Sequence, residues 1–152
     1  MLKIMKERWA KNEHLLRDKL TNSDCNTWDY EKFVTTTFDV IWNTEEDYLC
    51  HKLNLNRMTR IDDGEYQGVL LFVVPFNTYQ PCEWEYLMTA VSYGSCSGCD
   101  TLQNINAFHY QPNPTKEQVE QYMMLCKDLI CNTVRPYNNG WREDEDFLPV
   151  ED

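Results

Sequence analysis

The segment Tyr66-Gln67-Gly68-Val69-Leu70-Leu71-Phe72-Val73-Val74 decides the fold. Seven of its nine residues are apolar or aromatic, β-branched residues recur, and Gly64 before it and Pro75 after it punctuate the run, which predicts a strand. Because the run is apolar without alternation, it reads as a central strand covered on both faces. Pro75 to Pro81 reads as a loop, and Trp84 to Tyr93 as a second long strand returning antiparallel to the first. Met58 to Ile61 is a brief strand ahead of the turn signal Asp62-Asp63-Gly64.

Helices flank this hairpin. Leu2, Met5, Trp9, Leu16 and Leu20 recur at helical spacing among lysines and arginines, giving a basic amphipathic helix over residues 2–20. A second helix starts near Asn26 or Thr27, where Asp29 and Glu31 favour the positive end of the helix dipole, and buries Tyr30, Phe33, Val34, Phe38, Ile41 and Trp42. Thr44 to Asp47 starts a further helical piece through Cys50 and His51. Asp100 caps a short helix through Phe108, with Gln103 completing the box, and Thr115-Lys116-Glu117-Gln118 opens a long helix to about Val134. The expected fold is α+β: a small antiparallel sheet around a hairpin at about 66–74 and 84–93, packed with three or four helices. Residues 1–140 form one domain, and residues 141–152 an acidic tail.

Between the second hairpin strand and the short helix lies Ser92-Tyr93-Gly94-Ser95-Cys96-Ser97-Gly98-Cys99-Asp100-Thr101-Leu102-Gln103. Two residues between two sulfurs let both face one point, so Cys96 and Cys99 suit either half of a tetrahedral zinc site or a redox pair. A structural Zn2+ on Cys96 and Cys99 needs two more ligands. Asp63 and His51 are selected for the site, with Asp100, Cys50 and His109 also open. Cys82 precedes the returning strand and Cys96 follows it, so strand rise separates them by roughly 30 Å, which makes Cys82 a poor partner. Cys126 falls on the buried stripe of the long helix and reads as a packing residue.

The chain carries a net charge of −11. Residues 1–20 hold six bases against three acids, a net of +3, so the remaining 132 residues carry −14. Such a surface repels phosphate, which argues against direct nucleic-acid binding and for a basic protein partner. Glu143, Asp144, Glu145 and Asp146 in the tail are the residues selected to meet that partner. Seven cysteines form no even framework, and the start of the chain has no apolar leader pattern, which predicts reduced thiols and a cytoplasmic location, with no membrane association. No phosphate-binding loop, nucleophile elbow or His-Glu-x-x-His appears, so the expectation is a non-enzyme.

Asp62-Asp63-Gly64-Glu65-Tyr66-Gln67-Gly68-Val69-Leu70-Leu71 followed by Ser92 to Gln103 resembles a group of small phage and prophage proteins, over about the middle third of the chain. A small, acidic, cysteine-bearing protein of phage type is also similar to anti-CRISPR proteins acting on Cas9, some of which bind zinc and some of which occupy the DNA-binding groove. The resemblance implies an inhibitor, working in the bacterial host cell, that blocks DNA loading on Cas9. The alternatives are a Cys-x-x-Cys thiol-disulfide oxidoreductase and a phage assembly component.

Overall fold

The computed structural model describes residues 3–44 and 51–136, and the fold is α+β. Among the described residues four α-helices, α1 (Lys3–Thr21), α2 (Tyr30–Ile41), α3 (Thr101–Asn106) and α4 (Lys116–Cys131), accompany three strands, β1 (Thr59–Asp62), β2 (Gly68–Pro75) and β3 (Tyr86–Tyr93). The strands form one antiparallel sheet in the order β1-β2-β3, so the apolar run is the central strand. The helical piece read over residues 44–51 and the acidic tail at 141–152 fall wholly or mainly outside the described residues.

Local chemistry sets the helix limits. The second helix begins at Tyr30 rather than Asn26, because Asp29 is extended and its carboxylate accepts the Lys32 N–H, while Cys25–Thr27 closes a separate 3-10 turn. The Thr115 hydroxyl and the Gln118 side chain satisfy each other's backbone N–H groups at the start of α4. Gln103 does not reciprocate in this way at α3. The Asp100 carboxylate accepts the Gln103 N–H, but the Gln103 amide turns to the Gly94 carbonyl, 3.0 Å away.

The core lies between the helices and one face of the sheet. Leu70, Phe72 and Val74 of β2 stand opposite Val91, Thr89 and Leu87 of β3, and five of these six side chains are buried. Phe33 of α2 stacks on Tyr122 of α4 with ring centroids 4.8 Å apart. Arg8 of α1 is buried with them. Its guanidinium donates to the Trp42 carbonyl at 2.6 Å and lies 4.3 Å over the Trp42 ring, so α1 satisfies a carbonyl just past the end of α2. The Thr89 hydroxyl donates to the Leu129 carbonyl at 2.7 Å, tying β3 to α4.

The second face of the sheet corrects the sequence reading. Val69, Leu71 and Val73 alternate with the buried residues, and they are exposed or half-buried and stand outside the core cluster. The run is apolar on both faces, yet only one is covered by the core. Among the described residues no helix is long and apolar enough to cross a membrane. One-sided coverage predicts unequal costs for neighbouring truncations. Phe72→Ala should lose about 3–5 kcal/mol in urea denaturation, whereas Leu71→Ala should lose under about 1.5 kcal/mol.

Candidate thiol site

The site is built where β3 ends. Gly94 follows Tyr93, and a Cβ there would lie 2.6 Å from the Cys99 sulfur and 2.8 Å from the Cys99 carbonyl oxygen, so only glycine lets the turn fold back this closely. The Cys99 N–H donates to the Cys96 carbonyl at 3.1 Å and closes the turn. Both thiols are exposed, and their sulfurs are 2.7 Å apart.

Asp100 fixes the turn from below. This carboxylate is 7% exposed and accepts three hydrogen bonds: from the Tyr30 hydroxyl at 2.9 Å, the Gly94 N–H at 3.0 Å and the Gln103 N–H at 3.1 Å. The Tyr30 oxygen in turn accepts the Leu102 N–H at 3.2 Å. Burial, with the Asp100 carboxylate beside it, pushes the Tyr30 hydroxyl up to about 12, so it stays protonated and donating across the physiological range. Three elements, α2, β3 and α3, therefore meet at one carboxylate.

The electrostatics divide the thiols. Hydrogen bonding from Cys99, then from the Gly98 backbone N–H, holds the Cys96 thiol below its ordinary value of 9.0, because both favour the thiolate. Cys99 is held against Gly94, with its sulfur 3.4 Å from the Cys96 carbonyl oxygen. Cys82 lies near the opposite end of β3, and a hydrogen bond with Glu85 pushes its thiol up. Cys126 is fully buried, and desolvation raises its thiol to about 12, as fits a packing residue.

Beside the turn lies a cleft of about 310 Å³ between the α2 cap Asp29 and Glu31 of α2 on one side and Arg60, Asp62 and Tyr93 of the sheet on the other, with Asp100 in its lining. The Tyr93 hydroxyl donates to Asp62 at 2.6 Å. That bond holds the Asp62 carboxyl below its ordinary value and raises Tyr93 to about 12. Four carboxylates, Asp29, Glu31, Asp62 and Asp100, line it against one cation, Arg60.

The residues selected as metal ligands are placed apart. Asp63 lies in the turn at the correct end of the sheet, but its carboxylate accepts the Val69 N–H at 2.6 Å. His51 lies at the other end, because Leu53, two residues on, bridges to Phe76 beyond β2. Its carbonyl accepts the Trp42 indole N–H at 2.9 Å. His109 is exposed after α3. Among the described residues no group of three or more His, Cys, Asp or Glu side chains is arranged to hold a metal ion. Cys50 and the four tail acids, Glu143 to Asp146, lie outside the described residues.

Sequence reading gave Asp100 a capping role and a place among the open metal ligands, and Tyr30 only a core role; it did not join the two. Their contact spans 70 positions. The one available signal was Asp100 immediately after the second thiol. Comparison with protein-family models, curated proteins and solved structures finds no match to this chain.

Proposed function

We propose that the chain is a dithiol-disulfide protein in which Cys96 is the attacking thiol and Cys99 the resolving thiol. The observation that carries this reading is the pair of exposed sulfurs 2.7 Å apart, on a turn held by buried Asp100. The lowered Cys96 thiol supplies the thiolate that exchange requires. In the reducing direction Cys96 thiolate displaces one sulfur of a partner disulfide, which forms a mixed disulfide and releases the first partner thiolate. Cys99, as thiolate, then attacks the Cys96 sulfur, closing the Cys96–Cys99 disulfide and expelling the second partner thiolate. Two electrons pass to the partner, and the two protons lost by Cys96 and Cys99 balance those taken up by the two partner thiolates. The reverse sequence oxidises a partner dithiol.

The net charge of −11 supports a second reading, in which the acidic chain binds a basic nucleic-acid-handling protein. Similarity in type to phage anti-CRISPR proteins makes Cas9 in a bacterial host the leading candidate target, with Glu143, Asp144, Glu145 and Asp146 as contacts. The two readings are compatible, since one concerns the thiol turn and the other the surface charge.

Equilibration in dithiothreitol mixtures, read by mass spectrometry, tests the first reading. A species lighter by two hydrogens should appear with a midpoint between about −120 and −270 mV. Cys99→Ser should accumulate a glutathione adduct on Cys96, and iodoacetamide should modify Cys96 with a pH midpoint below 9.0 and Cys82 with one above it. Absence of a Cys96–Cys99 disulfide at every poise would remove the reading. The second is tested by titrating Cas9 at low salt, where binding should weaken as salt rises and with the combined changes Glu143→Gln, Asp144→Asn, Glu145→Gln and Asp146→Asn. No binding at low salt would exclude Cas9 as the partner.

A further inference from the structure

The cleft beside the thiol turn does not stop at Asp29 and Glu31. A second cleft, of about 390 Å³, adjoins the same two carboxylates and is lined also by Lys32 and Thr35 of α2 and by Leu55, Asn56 and Met58 ahead of β1. Because Asp29 and Glu31 line both, the two clefts form one groove past the start of α2. Gly94 and Asp100, which hold the thiol turn, wall one end. Leu55 and Met58, half-buried against the core, wall the other.

The thiols adjoin this groove directly. Gly94 lies in its lining, and a Cβ there would sit 2.6 Å from the Cys99 sulfur, so a single backbone position separates groove from dithiol. The charge of the groove is one-sided. Asp29, Glu31 and Asp62 are exposed, whereas Asp100 is buried and already accepts three hydrogen bonds. Of the two cations, Arg60 lies in the first cleft, and Lys32 in the second places its ammonium over the Trp28 ring at 5.4 Å.

We propose that this groove is the docking site for the substrate of the dithiol, and that it selects extended polypeptide segments whose reacting cysteine is flanked by lysine or arginine. The inference rests on the dithiol reading above and adds the substrate class to it. Shape and charge decide the occupant together. An open groove that runs on from the sulfurs takes a chain continuing from the attacked cysteine, and exposed carboxylates along it are matched by cations on that chain. The same carboxylates repel a segment with acidic residues beside its cysteine.

The test uses the full chain, reduced, and three peptides that each carry one cysteine as its pyridyl disulfide, flanked on both sides by lysines, by alanines or by glutamates. Cys96 thiolate attacks the peptide sulfur and expels the pyridinethiolate, which takes up a proton as coloured thiopyridone. Cys99 then closes the disulfide and releases the peptide thiol. At low salt the lysine peptide should react at least about tenfold faster than the glutamate peptide, with alanine between them, and the ratio should fall as salt rises. Asp29→Asn combined with Glu31→Gln should lower that ratio at least about threefold. Asparagine still caps α2, and a ratio taken within one protein cancels any general loss of reactivity. Asp39→Asn with Glu83→Gln removes the same charge from exposed positions outside the groove and should change the ratio less. Equal rates for all three peptides would overturn the groove and leave the dithiol reading standing. Equal effects of the two double variants would also overturn it, because the preference would then belong to the net charge of −11. If neither the peptides nor small, neutral dithiodipyridine is attacked, the dithiol reading fails and the proposal fails with it.

Discussion

The buried carboxylate of Asp100 is the constraint on which the thiol end of the molecule depends. A carboxylate that is 7% exposed must have its oxygens satisfied, and here a hydroxyl from α2 and backbone N–H groups from the end of β3 and the start of α3 supply the bonds. Two of those donors are close in the chain, and the third, Tyr30, lies 70 positions away. Meeting at one acceptor sets where α2 docks, where α3 begins and how sharply the chain turns after Tyr93. The Cys-x-x-Cys turn is the loop closed by that meeting, and Gly94 is the position that lets it close. Satisfied charge-assisted bonds are worth roughly 1.5–3 kcal/mol each, and leaving a buried partner unmade costs as much again. The geometry of the thiols is therefore a consequence of a buried polar joint more than of the cysteines themselves.

A second asymmetry runs through the sheet. On one face β2 and β3 supply the floor of a core shared with α1, α2 and α4, and buried polar contacts such as Arg8 to the Trp42 carbonyl and Thr89 to the Leu129 carbonyl fix how the helices sit on it. On the other face the same strands present uncharged side chains to solvent. The charge of the chain is thus excluded from one side of the sheet and concentrated elsewhere, including the cleft of Asp29, Glu31 and Asp62 beside the thiol turn. The thiol turn carries the proposed chemistry.

Much of this was legible in the sequence, for local reasons. The central hairpin followed from an uninterrupted apolar run bounded by glycine and proline, and the starts of α3 and α4 followed from Asp100 and Thr115 with glutamines three residues on. Coverage was not legible, because an apolar run has the same composition whether its second face meets a helix of the same chain or lies open. Nor was the Asp100 joint, since no periodicity links Tyr30 to a residue 70 positions away. His51 was drawn toward the thiols by residue type alone. The bridge from Leu53 to Phe76 places it at the far end of β2, a tertiary fact with no local signature.

Backbone hydrogen exchange in Asp100→Asn tests the central claim most directly. Asparagine keeps the size of the side chain but replaces one acceptor oxygen with an amide that has no bond to offer the Gly94 N–H. The account predicts that the Gly94 amide loses its protection and that protection also falls across α3, while the buried turns of α4 keep their slow exchange. Unchanged protection at Gly94 in the variant would contradict it, because the thiol turn would then be held by something other than Asp100.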